Sequence, residues 1–438
     1  MTRILFASGY GGQIYTLSFN PSSSPSPSLS IESSISAGSA PTWLTQHPNL
    51  PILYTGDEFF TPDGVLSTFE IEEKSSSLSK VGGDGKSKEG PVHFVLSPKG
   101  NELYSACYSA GALSTSKLLE DGKFDQEKKG QNFVYGGKGQ NEQRQEGPHA
   151  HGVAIEPNGE FLFCTDLGTD QVHAYRIGED RIDLATSIST TRGAGPRHLV
   201  FSQTSPTRSL LYLVCELSNT VSIYEVLSPT ESVVNELPPA HSTPPPPEPV
   251  PAPAAEVESE DIKPEIKSEA PVPMSTVPAP PPIPKPTINP IQLDISILPP
   301  NSSEIPGDWT AAELELSSDR KFLYVSNRAP TEPTLPKTDY MTILSLDDEG
   351  KIIEGEGGIT YQQFGAVGAR HFMSSFTRPS TGVDGGDVKM EVEGEKVYMA
   401  VAFQRTNEVV VYEVEGKEFK EVARVGGIEG ATCVIWKL

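Results

Sequence analysis

The stretch GPHAHGVAIEPNGEFLFCTDLGTDQVHAYRI, from Gly147 to Ile177, decides the fold. It parses as a short strand, a P-x-G turn, an apolar-aromatic strand, a polar turn and a strand ending V-x-x-Y. The same order of parts returns in GPRHLVFSQTSPTRSLLYLVCELSNTVSIYEV, Gly195 to Val226. Earlier copies are APTWLTQHPNLPILYTG (Ala40 to Gly56) and GPVHFVLSPKGNELYSACYSAGAL (Gly90 to Leu113). Later copies are TAAELELSSDRKFLYVSNR (Thr310 to Arg328) and ARHFMSSF with VYMAVAFQRTNEVVVYEV (Ala369 to Val414).

Aligned on their first strand, the units place Thr42, Val92, His151, Arg197, Ala312, Arg370 and Thr432 in register, with steps of 50, 59, 46, 115, 58 and 62 residues. Four short strands per repeat at this period predict an all-β, seven-bladed β-propeller. The last first strand, GATCVIWKL, reaches the chain end without partners, which RILFASG and QIYTLSF at the N-terminus supply. A seventh blade built from both chain ends closes the ring and removes its open edges.

The long step of 115 coincides with a change of composition. Residues 238 to 300 hold 21 of the 40 prolines in the 438-residue chain. Residues 229 to 290 show no apolar periodicity, so the expectation is a disordered, proline-rich insertion between blades of a single domain spanning 1 to 438. Its proline runs are of the kind that docks SH3 or WW domains, although a plain spacer is the preferred reading. IKPE and IKSE, around Lys263 and Lys267, fit a short pattern for attachment of a ubiquitin-like modifier.

Charge excludes further classes. With 58 acidic against 34 basic side chains, a net charge of −24, the chain would repel a phosphate backbone, so no nucleic-acid partner is expected. Four cysteines without a C-x-x-C pair speak against a disulfide framework or zinc knuckle, and the histidines lack companion ligands, so neither a metal nor another cofactor is expected. No run of 18 apolar residues and no secretory h-region occur, which predicts no membrane partner and a cytoplasmic location.

GPHAHGVAIEPNGEFLFCTDLGTDQVHAY, GAGPRHLVF with ELSNTVSIY, AAELELSSDRKFLYVSNR and ARHF together resemble the lactonase-type seven-bladed β-propellers. That family includes bacterial 6-phosphogluconolactonases and fungal 3-carboxy-cis,cis-muconate lactonizing enzymes. The resemblance covers every repeat unit but not the insertion. It implies a lactone-processing enzyme, with the wording of GPHAHG, GAGPRHL and SNR closer to the phosphogluconolactonases. The alternatives are a carboxymuconate cycloisomerase and a non-catalytic propeller scaffold. In the fungal enzymes the matching His, Arg, Glu and Arg are regarded as the active site, and they stand here as His151, Arg197, Glu216 and Arg328.

The residues themselves suit such chemistry. First strands line a propeller's channel, so His151, Arg197 and Arg370 share one ring, and His93, His198, Glu313 and His371 the next position along. Glu216, Arg328 and Gln404 share the turn after the second strand, with Tyr108 and Leu167. Lactone hydrolysis needs a base for water and a cation at the developing oxyanion. Glu216 and His151 are expected to share the acid–base work, and Arg197 and Arg328 to hold an anionic substrate. His93, His149, His198, Glu313, Arg370, His371 and Gln404 are the candidate substrate-binding residues. Two loops depart from the family pattern, APTEPTLPKTDY after Arg328 and TRPSTGVDGGDVKMEVEGE in the last repeat.

Overall fold

The computed structural model describes residues 2–59, 62–229, 283–300, 302, 309–330, 339–364 and 396–438, together with the strand path of 369–374. These residues form seven four-stranded antiparallel sheets. They are the blades of a propeller, numbered here from the first complete one. The innermost strands are Pro41–Gln46, Pro91–Leu96, Ala150–Ile155, Pro196–Ser205, Thr310–Leu316, Ala369–Ser374 and Ala431–Trp436.

Blade 7 is closed by the two chain ends. Arg3–Gly9 pairs with Ala431–Trp436, in the register Leu5 to Trp436 and Phe6 to Ile435. Gln13–Asn20 and Ser28–Ser36 complete that sheet. Its Leu5, Phe6, Leu17 and Trp436 join one buried cluster with Leu44 of blade 1 and Val411 of blade 6.

Position within a blade determines burial. The second strands Ile52–Asp57, Glu102–Cys107 and Phe161–Asp166 are buried at every residue, because neighbouring blades cover both faces. Outer strands such as Ile182–Ser189 bury only some positions and carry serine and threonine between them. The tyrosine that recurs in the second strand has a defined task. Tyr54, Tyr212 and Tyr324 donate their hydroxyls to the carbonyls of Gly122, Gly350 and Gly416 in the next blade, at 2.7, 2.8 and 2.9 Å. A repeated aromatic thus fills the core and ties adjacent blades at its polar tip.

The expected insertion needs correcting at one end and in its position. Thr287–Ser296 is the outer strand of blade 4, pairing Leu227 with Thr287 and Tyr224 with Pro290. The insertion therefore falls within blade 4, between its third and fourth strands, and not between blades. Residues 287–290 belong to the sheet. Pro290 is tolerated there because an edge strand leaves one row of N–H groups unused. Residues 230–282, with Lys263, Lys267 and the proline runs, lie outside the described residues. So do 331–338 and 375–395, the bulk of the two unusual loops. Among the described residues no helix is long and apolar enough to cross a membrane.

Candidate active site

In every blade the ladder between the first two strands slips where the ring residue stands. Pro91 pairs with Cys107 and His93 with Ala106, leaving Val92 as the extra residue. The same bulge falls at His151, Arg197, Arg370 and Thr432, and spans Thr42–Trp43 and Ala312–Glu313. A bulge re-aims a side chain and bends its strand. A cavity of about 200 Å³ has the ring residues Thr42, Val92, His151, Arg197 and Thr432 in its wall. The turn after each second strand contributes a second tier, from which Tyr10, Glu58, Tyr108 and Glu216 reach the same cavity.

Glu216 is the centre of charge. Its Oε2 accepts from Nε of Arg197 at 2.9 Å. Its Oε1 takes Nη2 of Arg144 at 2.8 Å and Nη2 of Arg328 at 3.0 Å. Burial alone would raise this carboxyl, but Arg328, Arg197 and Arg144 overcome it and hold Glu216 well below the usual carboxylate range. With its oxygens so occupied, Glu216 is permanently ionised and positions three guanidiniums. The expected share of acid–base work does not suit it.

The arginines are fixed differently. Arg197 donates from Nη1 to the carbonyl of Ala312 at 2.6 Å. Arg328 donates from Nη2 to Ala311 O at 2.8 Å. Both are buried, and only Arg197 of the two lines the cavity. The backbone of Arg197 is itself held, since Thr165 Oγ1 donates to its carbonyl at 2.6 Å. Gly152 allows this approach: a Cβ there would stand 2.4 Å from that carbonyl oxygen.

His151 is the proton carrier the site offers. Its Nδ1 is buried and has no hydrogen-bond partner, which leaves Nε2 as the nitrogen open to the cavity. Burial, then the charge of Arg197 and His198, pushes its pKa well below the usual imidazole value. His151 is therefore neutral at physiological pH. Tyr108 meets its ring edge-on at 5.6 Å.

The other candidates divide. His198 lines the cavity, and its Nδ1 meets Glu313 Oε1 at 2.9 Å. His93 meets Trp43 at a tilt, 4.1 Å between ring centres, and accepts from Val153 N at Nδ1, 3.3 Å, which fixes that nitrogen as the unprotonated one. His149 lies flat on Tyr108 at 4.3 Å and braces it. His93, His149 and Glu313 pack against cavity-lining side chains without lining the cavity themselves, and Gln404 does not line it either. Arg370 and His371 stand on the innermost strand of blade 6, with only their backbone described. Among the described residues, no group of three or more His, Cys, Asp or Glu is arranged to hold a metal.

Arg144, Tyr10 and Glu58 escaped the sequence reading. Tyr10 and Glu58 occupy the second-tier position in blades 7 and 1, and extending that alignment would have found them. Arg144 sits in the irregular run between blades 2 and 3, where no repeat predicts its direction.

Comparison with known proteins agrees with this architecture. Relatives include the 6-phosphogluconolactonase of Bacillus subtilis strain 168, 28% identical over 197 residues, covering 45% of this chain and 54% of that protein. The 6-phosphogluconolactonase of Formosa agariphila is 28% identical over 224 residues, 50% of this chain and 61% of that one. The chain thus spans little more than half the length of the curated relatives it matches. Among solved structures, the periplasmic gluconolactonase of Pseudomonas aeruginosa superposes with a TM-score of 0.68 at 18% identity, covering 100% of this chain and 99% of that one. A protein of Lactobacillus plantarum gives 0.68 at 17% identity, covering both chains fully. These likenesses speak for the fold. The family model described as lactonase, 7-bladed beta-propeller matches residues 5–260, the chain from its N-terminal closing strand past the third strand of blade 4. With seven blades, a terminal closure and this match over more than half its length, the chain belongs to the seven-bladed β-propeller lactonase family.

Proposed function

We propose that the protein hydrolyses a sugar lactone in the manner of a 6-phosphogluconolactonase. The observation that carries this reading is a neutral His151, its Nε2 open to a cavity also lined by Arg197, with Glu216 locked as the arginines' anchor. Water attacks the lactone carbonyl while His151 Nε2 accepts its proton. Negative charge collects on the carbonyl oxygen, and Arg197, already oriented by Glu216 and Ala312 O, stabilises it without rearrangement. As the tetrahedral intermediate collapses, the ring C–O bond breaks. Protonated His151 returns the proton to the departing alkoxide, leaving an open-chain hydroxy acid. Arg328 keeps Glu216 charged from behind and carries no step itself.

The names of the curated relatives support this choice of substrate class. The test is a paired assay of purified protein with 6-phosphogluconolactone and 3-carboxy-cis,cis-muconate. Opening of the lactone, faster than its spontaneous hydrolysis, is expected. Turnover of the muconate alone would transfer the site to cycloisomerisation, and turnover of neither would favour another lactone or a scaffold. A cytoplasmic location accords with this substrate class and is part of the proposal.

A further inference from the structure

Three arginines surround one carboxylate, and they are not equivalent. The side chains of Arg197 and Arg328 are 6% and 4% exposed, whereas that of Arg144 is 38% exposed. Arg197 and Arg328 also donate to backbone carbonyls of blade 5. The Arg144 guanidinium donates to Glu216 and lies close to the Tyr108 side chain, which lines the same cavity. Glu216 Oε1 receives both Arg144 and Arg328, so it stays paired if Arg144 turns away. Around Glu216 three positive charges face one negative, and with the Glu58 carboxylate of the same cavity counted the excess is one positive charge, which suits an anionic ligand.

The loop that carries Arg144 is held firmly. Gln145 is fully buried; its amide donates to Leu167 O at 2.8 Å and Asp170 Oδ1 at 2.7 Å, and its carbonyl accepts from the Gln140 and Asn141 amides at 3.0 Å each. Arg144 is thereby delivered to the cavity wall from a rigid base. Tyr108 beside it is clamped between His149 and His151, and burial raises its pKa, so its hydroxyl stays protonated and able to donate. The carboxylate of Glu58, in the same cavity, comes from blade 1, and that of Glu146 pairs with His149.

We propose that Arg144, with the Tyr108 hydroxyl, receives the phosphate of a phosphorylated sugar lactone and sets the preference for it over the unphosphorylated lactone. The guanidinium exchanges one Glu216 contact for the phosphate, while Arg197 remains at the reacting carbonyl. This assignment rests on the lactonase reading. It adds a substrate-contacting residue from outside the blades.

The experiment compares kcat/KM for 6-phosphoglucono-δ-lactone and glucono-δ-lactone in the wild type, Arg144→Gln, Arg144→Lys and Tyr108→Phe. Arg144→Gln should lower the ratio of the two values by about 30-fold, mainly through KM, as loss of a charge-assisted contact to phosphate requires. Arg144→Lys, which keeps the charge but not the planar fork, should recover part of that ratio. Tyr108→Phe should lower it by about threefold to tenfold for one hydroxyl contact. A ratio unchanged within about twofold in Arg144→Gln, or in both other variants should Arg144→Gln not fold, overturns the proposal. Calorimetric binding of 6-phosphogluconate and gluconate separates this failure from failure of the lactonase reading. If the wild type opens neither lactone, that reading falls. The Arg144 assignment then stands only if 6-phosphogluconate binds the wild type more tightly than Arg144→Gln.

Discussion

Blade 3 contains two imidazoles with contrasting surroundings, His173 buried and His151 only partly so. His151 stands on its innermost strand and His173 on its third. Each has one ring nitrogen that is buried and unpartnered, Nδ1 in His151 and Nε2 in His173. Each has a depressed pKa, with burial as the leading cause. His173 is sealed against Tyr135, at 4.1 Å between ring centres, and its Nδ1 meets Ser187 Oγ at 2.8 Å. No charge contributes to its shift. His151 opens on a cavity and has Arg197 beside it. A perturbed histidine is therefore not a site by itself. Access and a neighbouring cation distinguish the two.

The sharpest way to break this comparison is to remove each ring. His151→Asn should lower kcat on the lactone by about 100-fold to 10,000-fold, the usual worth of a general base, with the thermal midpoint nearly unchanged. Turnover within about tenfold of wild type would place the base elsewhere. His173→Phe should leave turnover essentially as it was, measured in the same assay at neutral pH.

Next in size is the anchor of the arginines. Glu216→Gln leaves three guanidiniums without their shared carboxylate and should cost about 3 kcal/mol of stability, read by urea unfolding, along with activity. Stability equal to wild type would show that the carboxylate is not needed to hold them.

His173 contributes acid sensitivity, alongside His151 and His47, whose pKa values burial also lowers. Its pKa is about 4 in the fold, against about 6.5 in an unfolded chain. Below pH 6.5 the unfolded chain binds a proton that the folded one refuses, so stability falls as pH falls, by about 2 kcal/mol at pH 5. Unfolding curves at pH 7 and pH 5 should show this loss in wild type and a correspondingly smaller one in His173→Phe. An identical loss in both would assign the acid sensitivity to other groups.

The smallest effect is in the rate profile. Because burial and Arg197 push the His151 pKa well down, the acid limb of kcat/KM should lie well below the ordinary imidazole value. Measuring it in His173→Phe removes that residue's share of acid unfolding from the profile. A limb at pH 6.5 or above would contradict a desolvated base.

Much of this was readable from the chain. The register of Thr42, Val92, His151 and Arg197 predicts the blade count, and GATCVIWKL with RILFASG predicts the closure seen between Trp436 and Leu5. His151, Arg197, Glu216 and Arg328 do come together, because consecutive blades repeat their strand positions. Pro290 hid the outer strand of blade 4, since a proline argues against a strand unless that strand is known to be an edge. Arg144 left no trace, as a connection between blades has no period to align.

The amino-acid sequence alone determined the all-β repeat, the number of blades and which residues stand at equivalent positions, because periodicity is a local property of the chain. Only the tertiary structure decided what those positions do. It placed a bulge under every ring residue, gave both oxygens of Glu216 to arginines, opened His151 to the cavity and sealed His173 away. Solvation and charge at a side chain depend on neighbours far apart in sequence, such as Arg144 and Arg328 around Glu216, and these meet only when the ring closes.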